Sequence, residues 1–78
     1  GDNAIEHLER LVQEAPRVKH KTILGRCLAQ LGHPQKARDM LQQAIADYEE
    51  SSFFLQRDNE SWIAQARQTL NSIPPQLN

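Results

Sequence analysis

His7, His20, His33 and Cys27 are the only side chains in this 78-residue chain that could act as soft metal ligands. No two of them stand at i, i+3 or i+4 on a helix, and there is no Cys-x-x-Cys pair, so neither a metal site nor a cofactor is expected. No Ser, His and Asp spacing points to a nucleophile, no glycine-rich loop offers a phosphate cradle, and the ten acids are spread over solvated helix faces. The residue inventory is not that of an enzyme. Binding chemistry is better supplied. Lys19, Thr22, Arg26 and Ala29 or Gln30 recur at helical spacing on one face. Arg26 can hold a carboxylate in two hydrogen bonds through its planar fork, whereas Lys19 offers a point charge. The bland alternative is that two basic residues on a helix are simply a solvated face.

The formal charge is −1, but it is unevenly placed. Residues 17–38 carry six cations and no acid, while 39–60 carry six acids against Arg57 alone. With so little net charge and no surface that interleaves basic and aromatic residues, a nucleic-acid partner is not expected. One cysteine cannot close an internal disulfide; Cys27 lies in an apolar stripe, where a free thiol behaves as a small hydrophobe. No apolar run approaches the roughly 18 residues of a membrane span or has the flanks of a signal peptide. The segment therefore reads as soluble and cytoplasmic, without membrane contact of its own. Gly1, with no Met before it, reads as the start of a crop, and upstream sequence could hold a targeting signal.

The elements that must position the binding face lie between Thr22 and Tyr48. Leu24, Cys27, Leu28 and Leu31 fall at i, i+3, i+4 and i+7 and form one apolar stripe on a helix. Gly25 inside that helix costs about 1 kcal/mol relative to Ala, which points to a close-packed neighbour. Gly32-His33-Pro34 supplies a stop and a start, with Gly suited to the left-handed residue after a helix and Pro to the first residue of the next. His33 is then a turn residue. Ala37, Leu41, Ala44, Ile45 and Tyr48 make the facing stripe, and the short link forces the two helices antiparallel.

The spacing of Leu24, Gly25, Leu28, Gly32, Ala37, Leu41 and Ala44 resembles the tetratricopeptide repeat. The resemblance implies an all-α fold of antiparallel helical hairpins, a fragment of a right-handed α-solenoid. It divides the single domain into residues 1–16 as the second helix of a preceding repeat, 18–50 as one full repeat, and 58–73 as a C-terminal capping helix. The first helix has its stripe at Ala4, Ile5, Leu8, Leu11 and Val12, with Asp2 or Asn3 as its cap and Pro16 beyond its end. Ala4, Leu8, Leu11 and Pro16 match the second helix of such a repeat, whose apolar flank would then lack a cover. After Tyr48 the pattern weakens, and apolar periodicity could run on through Ser52 to Leu55. Asp58, Asn59 and Ser61 are candidate caps for a last helix carrying Trp62, Ile63, Ala66 and Leu70, stopped by Pro74-Pro75, with Trp62 as its largest anchor. Four helices are expected, at about residues 3–15, 18–31, 34–52 and 59–72. Arg57, Trp62, Ala66 and Leu70 also resemble the C-terminal part of divergent bacterial tetratricopeptide proteins of largely uncharacterised role, which implies a bacterial source and tethering to a membrane by an upstream segment.

The family lines its concave surface with the first helix of each repeat, which implies that Lys19, Thr22, Arg26 and Ala29 or Gln30 floor a groove. Such a groove would favour a peptide carrying carboxylates. The chaperone-binding members use a two-carboxylate clamp of Lys, Asn and Arg; here the corresponding places hold Thr22, Ile23 and Arg26, so a chaperone tail is not expected. Two functions remain. One is a protein-interaction module, the end piece of a scaffold presenting a groove to a peptide or partner protein. The other is a structural, self-associating element in which another copy or upstream repeats complete the flank of the first helix.

Overall fold

The computed structural model describes the backbone of residues 2–74 and the side chains of residues 4–74; the proposed caps Asp2 and Asn3 and the stop at Pro75 lie outside the side chains and residues so described. Five helices follow one another: α1 (Asp2–Glu14), α2 (Val18–Gln30), α3 (Pro34–Glu50), α4 (Phe53–Asp58) and α5 (Glu60–Ser72), with no strand among the described residues.

The hairpin of α2 and α3 forms for the reasons its sequence carries. Gly32 takes φ +83°, the His33 amide donates to Leu28 O over 2.9 Å and the Gly32 amide to Ala29 O over 3.3 Å. These two bonds close the end of α2 in the pattern that a left-handed residue after a helix permits. Pro34 then occupies the first turn of α3, where its missing amide hydrogen leaves nothing unsatisfied. At Gly25 an added Cβ would lie 2.6 Å from Cγ and Cδ2 of Leu41 and 3.5 Å from the Ala37 carbonyl oxygen. The close approach expected there exists, and Leu41 rather than an alanine side chain fills the space. Lys21 donates to Asp47 in an ion pair that ties α2 to α3 across the hairpin.

Leu24, Leu28, Ala37, Leu41, Ala66 and Ile73 form the main buried cluster, with Ile5, Leu8 and Val12 of α1 and Leu70 of α5 packed against it. A smaller cluster joins Val18, Ala44 and Ile63, bordered by Tyr48 and Trp62. Thus α5 packs on both α2 and α3, whereas α1, among the described residues, packs on α2 and not on α3 or α5. Trp62 stays half-buried; Ile63 and Ala66 are the residues of α5 that reach the interior. The apolar stripe expected on α2 is shifted. Val18, Thr22, Leu24, Gly25 and Leu28 are buried, Cys27 is half-buried and Leu31 is exposed. The reason is that α2 has three neighbours, so a single stripe cannot describe what it buries.

The expected end of the third helix is corrected as well. Helix α3 stops at Glu50, and Ser51 and Ser52 are extended, with ψ of 159° and 162°. The Ser51 hydroxyl donates back to Asp47 O over 2.7 Å, a local bond that competes with helix continuation. Ser52 caps a new short helix by accepting from the Leu55 amide at 3.4 Å. Gln56 Nε2 then reaches back to Tyr48 O at 3.0 Å, which also accepts from the Ser51 amide, and to Glu49 O at 3.3 Å, adding bonds to carbonyls at the end of α3. Of the proposed caps for α5, Asn59 occupies the junction, but its side chain donates to Leu55 O of α4 over 2.9 Å instead of capping α5. After Ser72 the chain turns in, burying Ile73, and Arg38 Nη2 of α3 donates to Pro74 O at 2.9 Å.

Candidate protein-interaction site

Helix α5 lies beside α2 and divides the face on which the five candidate residues were expected to act together. Arg26, Ala29 and Gln30 of α2 open into a recess of about 400 Å³ whose other wall is Gln65, Gln68, Thr69 and Ser72 of α5. Lys19 lines a different recess, of about 570 Å³, and its ammonium sits 5.5 Å from the centre of the Trp62 ring. Cation and aromatic face attract at that distance. Thr22 lies in neither. It is wholly buried, and its hydroxyl has no hydrogen-bond partner among the described residues. Thr22 lies one turn along from Val18, which joins Ile63 of α5 and Ala44 of α3 in the smaller cluster; the helix face that carries both is closed to solvent.

The first recess is built from polar side chains on two rigid helices. Arg26 Nη1 donates to Gln65 Oε1, a contact that links α2 to α5 and orients the guanidinium along the recess. Thr69 Oγ1 donates to Gln65 O over 2.9 Å and Ser72 Oγ to Thr69 O over 2.7 Å, so both hydroxyls keep lone pairs as acceptors. The lining holds one cation, Arg26, three glutamine side chains and no acid. A carboxylate entering it meets a fixed positive charge and amide donors, and a peptide backbone meets both donors and acceptors.

The second recess has an apolar floor of Val18, Leu55 and Trp62 and a mixed rim, with Arg17 and Lys19 on one side and Asp47 and Asp58 on the other. Gln65, Gln68, Thr69 and Trp62 are site-lining residues that reading α2 alone could not supply. Their helical spacing on α5 was the available signal, but nothing in it said which face would meet α2.

His20 Nδ1 donates to Ala15 O over 2.7 Å and so holds the α1–α2 corner. Among the described residues no three or more His, Cys, Asp and Glu side chains come together as a metal site would require. No helix of the described residues is long and apolar enough to cross a membrane.

Residues 23–51 match the family model for the tetratricopeptide repeat, a span running from the first turns of α2 to just past the end of α3. No curated protein and no solved structure matches the chain. Repeats of this family generally mediate protein–protein interaction or scaffolding. The hairpin turned at Gly32, the helices drawn together where Gly25 meets Leu41, and the family match all fall in the same stretch. The stretch 23–51 is thus matched as a tetratricopeptide repeat.

Proposed function

We infer that the chain is a protein-interaction module that takes an acidic peptide segment in the recess between α2 and α5. The observation that carries this reading is the acid-free polar lining around Arg26, held between two helices that pack on a common core. In this reading α2 and α3 are one full repeat, α1 is the second helix of a preceding one, and α5 caps the open end while supplying half of the groove. Arg26 holds the carboxylate, Ala29 leaves room for the peptide backbone, and Gln30 with Gln65 and Gln68 hydrogen-bonds along it. Lys19 and Thr22 take no direct part, because one faces the Trp62 recess and the other is buried.

The test is a calorimetric titration of a peptide rich in Asp and Glu against the wild-type chain, Arg26→Glu and Lys36→Glu, the last reversing a charge of the same basic block outside the recess. Binding lost only in Arg26→Glu supports the groove. Equal loss in both variants means that diffuse charge attracts the peptide, and the groove assignment fails.

Self-association is a second reading, favoured by α1. Among the described residues this helix packs on α2 and on no other helix, and its Ala4 is exposed and Leu11 only half-buried, outside both buried clusters. A second copy laid on that flank would cover them. Sedimentation over a range of concentrations separates the readings, because only self-association gives a dimer without peptide.

A further inference from the structure

Helix α4 presents its largest side chains to solvent. Phe53 is 69% exposed, Phe54 77% and Leu55 53%, although each is adjacent to the next in sequence and the two rings stand edge to face with centroids 6.1 Å apart. Isolated exposed apolar residues are ordinary, but a contiguous aromatic patch marks an interaction surface. The patch continues through Leu55 into the Trp62 recess. Its surroundings are acidic in balance: Glu49, Glu50, Asp58 and Glu60 are all exposed, none with an ion-pair partner among the described residues, against Arg57 and, on the rim of the Trp62 recess, Arg17 and Lys19 facing Asp47 and Asp58.

We propose that Phe53, Phe54 and Leu55 form a docking surface for a basic, amphipathic segment of a partner protein, whose apolar side chains cover the two rings and whose Lys and Arg side chains meet the surrounding carboxylates. Charge complementarity selects this occupant. A surface of anionic lipid would be repelled by the excess of acids around the patch. A neutral apolar partner would leave those acids without counterparts at the rim, where complementary charge steers association. The apolar centre with a charged rim is the arrangement in which aromatic side chains act as anchors and the rim supplies selectivity. This surface is separate from the α2–α5 recess and has the opposite charge preference, so one chain could hold an acidic segment in the groove and a basic one at α4.

The test uses a 14-residue helical peptide of Leu and Lys, with a Ser and Lys peptide of the same length and charge as control. Binding is read by calorimetry and by the fluorescence of Trp62, the sole tryptophan of the chain. Because the altered side chains are exposed, Phe53→Ser/Phe54→Ser should keep the helical circular dichroism of the wild type, which is checked first. The expected result is that the Leu and Lys peptide binds more tightly than its control and that the double variant weakens it on the order of tenfold. Glu49→Gln/Glu50→Gln should flatten the salt dependence, and Arg26→Glu should leave the affinity unchanged, which separates this site from the groove. Equal binding of the two peptides, or an unaffected double variant, overturns the proposal. So does binding of phosphatidylcholine vesicles that disappears in the double variant, which would make α4 a membrane contact. A dimer in sedimentation that the double variant abolishes would assign the surface to a second copy and also overturn it.

Discussion

Gly25 of α2 stands against Leu41 of α3 so closely that a Cβ at position 25 would fall 2.6 Å from Leu41 Cγ. Leu41 is wholly buried and belongs to the main cluster, so it has little room to withdraw. Gly25→Ala gains helix propensity but forces that contact, and the clash should win. The expected loss is about 1–3 kcal/mol in urea denaturation, with Gly25→Leu at or above the upper end. Ala37→Leu should cost a similar amount, since Ala37 is also fully buried. Ala29→Leu should cost less, because Ala29 is half-buried and borders the open recess. Equal losses at all three sites would show that the contact at Gly25 is not the tight one.

Thr22→Val should stabilise the fold. The two side chains have nearly the same shape, and the Thr22 hydroxyl is buried without a partner among the described residues. Removing an unsatisfied buried group recovers its desolvation penalty, about 1 kcal/mol or more. A higher denaturation midpoint with an unchanged slope is the expected result. A lower midpoint would mean that the hydroxyl is hydrogen-bonded in solution.

Gln56→Ala should destabilise the end of α3 by about 1 kcal/mol, because the Gln56 side chain donates to both Tyr48 O and Glu49 O. Amide hydrogen exchange should rise first in residues 47–52 and around α4, while the hairpin at Gly32 keeps its protection. Uniform loss across the chain would contradict a local capping role.

The ion pair of Lys21 and Asp47 should contribute little. The Asp47 side chain is 39% exposed although that of Lys21 is 12% exposed, so solvent screens the pair. A double-mutant cycle with Lys21→Met and Asp47→Asn should give a coupling below about 1 kcal/mol that shrinks as salt rises. A larger coupling, insensitive to salt, would make this pair a main tie between α2 and α3.

These residues also separate what the sequence dictates locally from what packing decides. The turn at Gly32-His33-Pro34 and the close approach at Gly25 were legible because each rests on a backbone demand that few residue types meet: positive φ, a missing amide hydrogen, a missing Cβ. The break at Ser51-Ser52 was not. The apolar pattern continues across it, and the competing bonds come from a serine hydroxyl and from Gln56, five residues further on. The placement of the expected binding face was half legible. Periodicity placed Lys19, Thr22 and Arg26 on one side of α2, but periodicity along a helix does not say which helix arrives on that side. Once α5 does, Thr22 is covered, Lys19 turns to Trp62 and Arg26 meets Gln65.

If the recess between α2 and α5 is where a partner segment binds, an amide chemical-shift map recorded while an acidic peptide is added to the isotope-labelled chain should show it. Shifts concentrated at Arg26, Ala29 and Gln30 on α2 and at Gln65, Gln68 and Thr69 on α5 are the predicted result. Shifts spread over Lys36 and Arg38, or confined to α1, with these six residues unmoved, would contradict it.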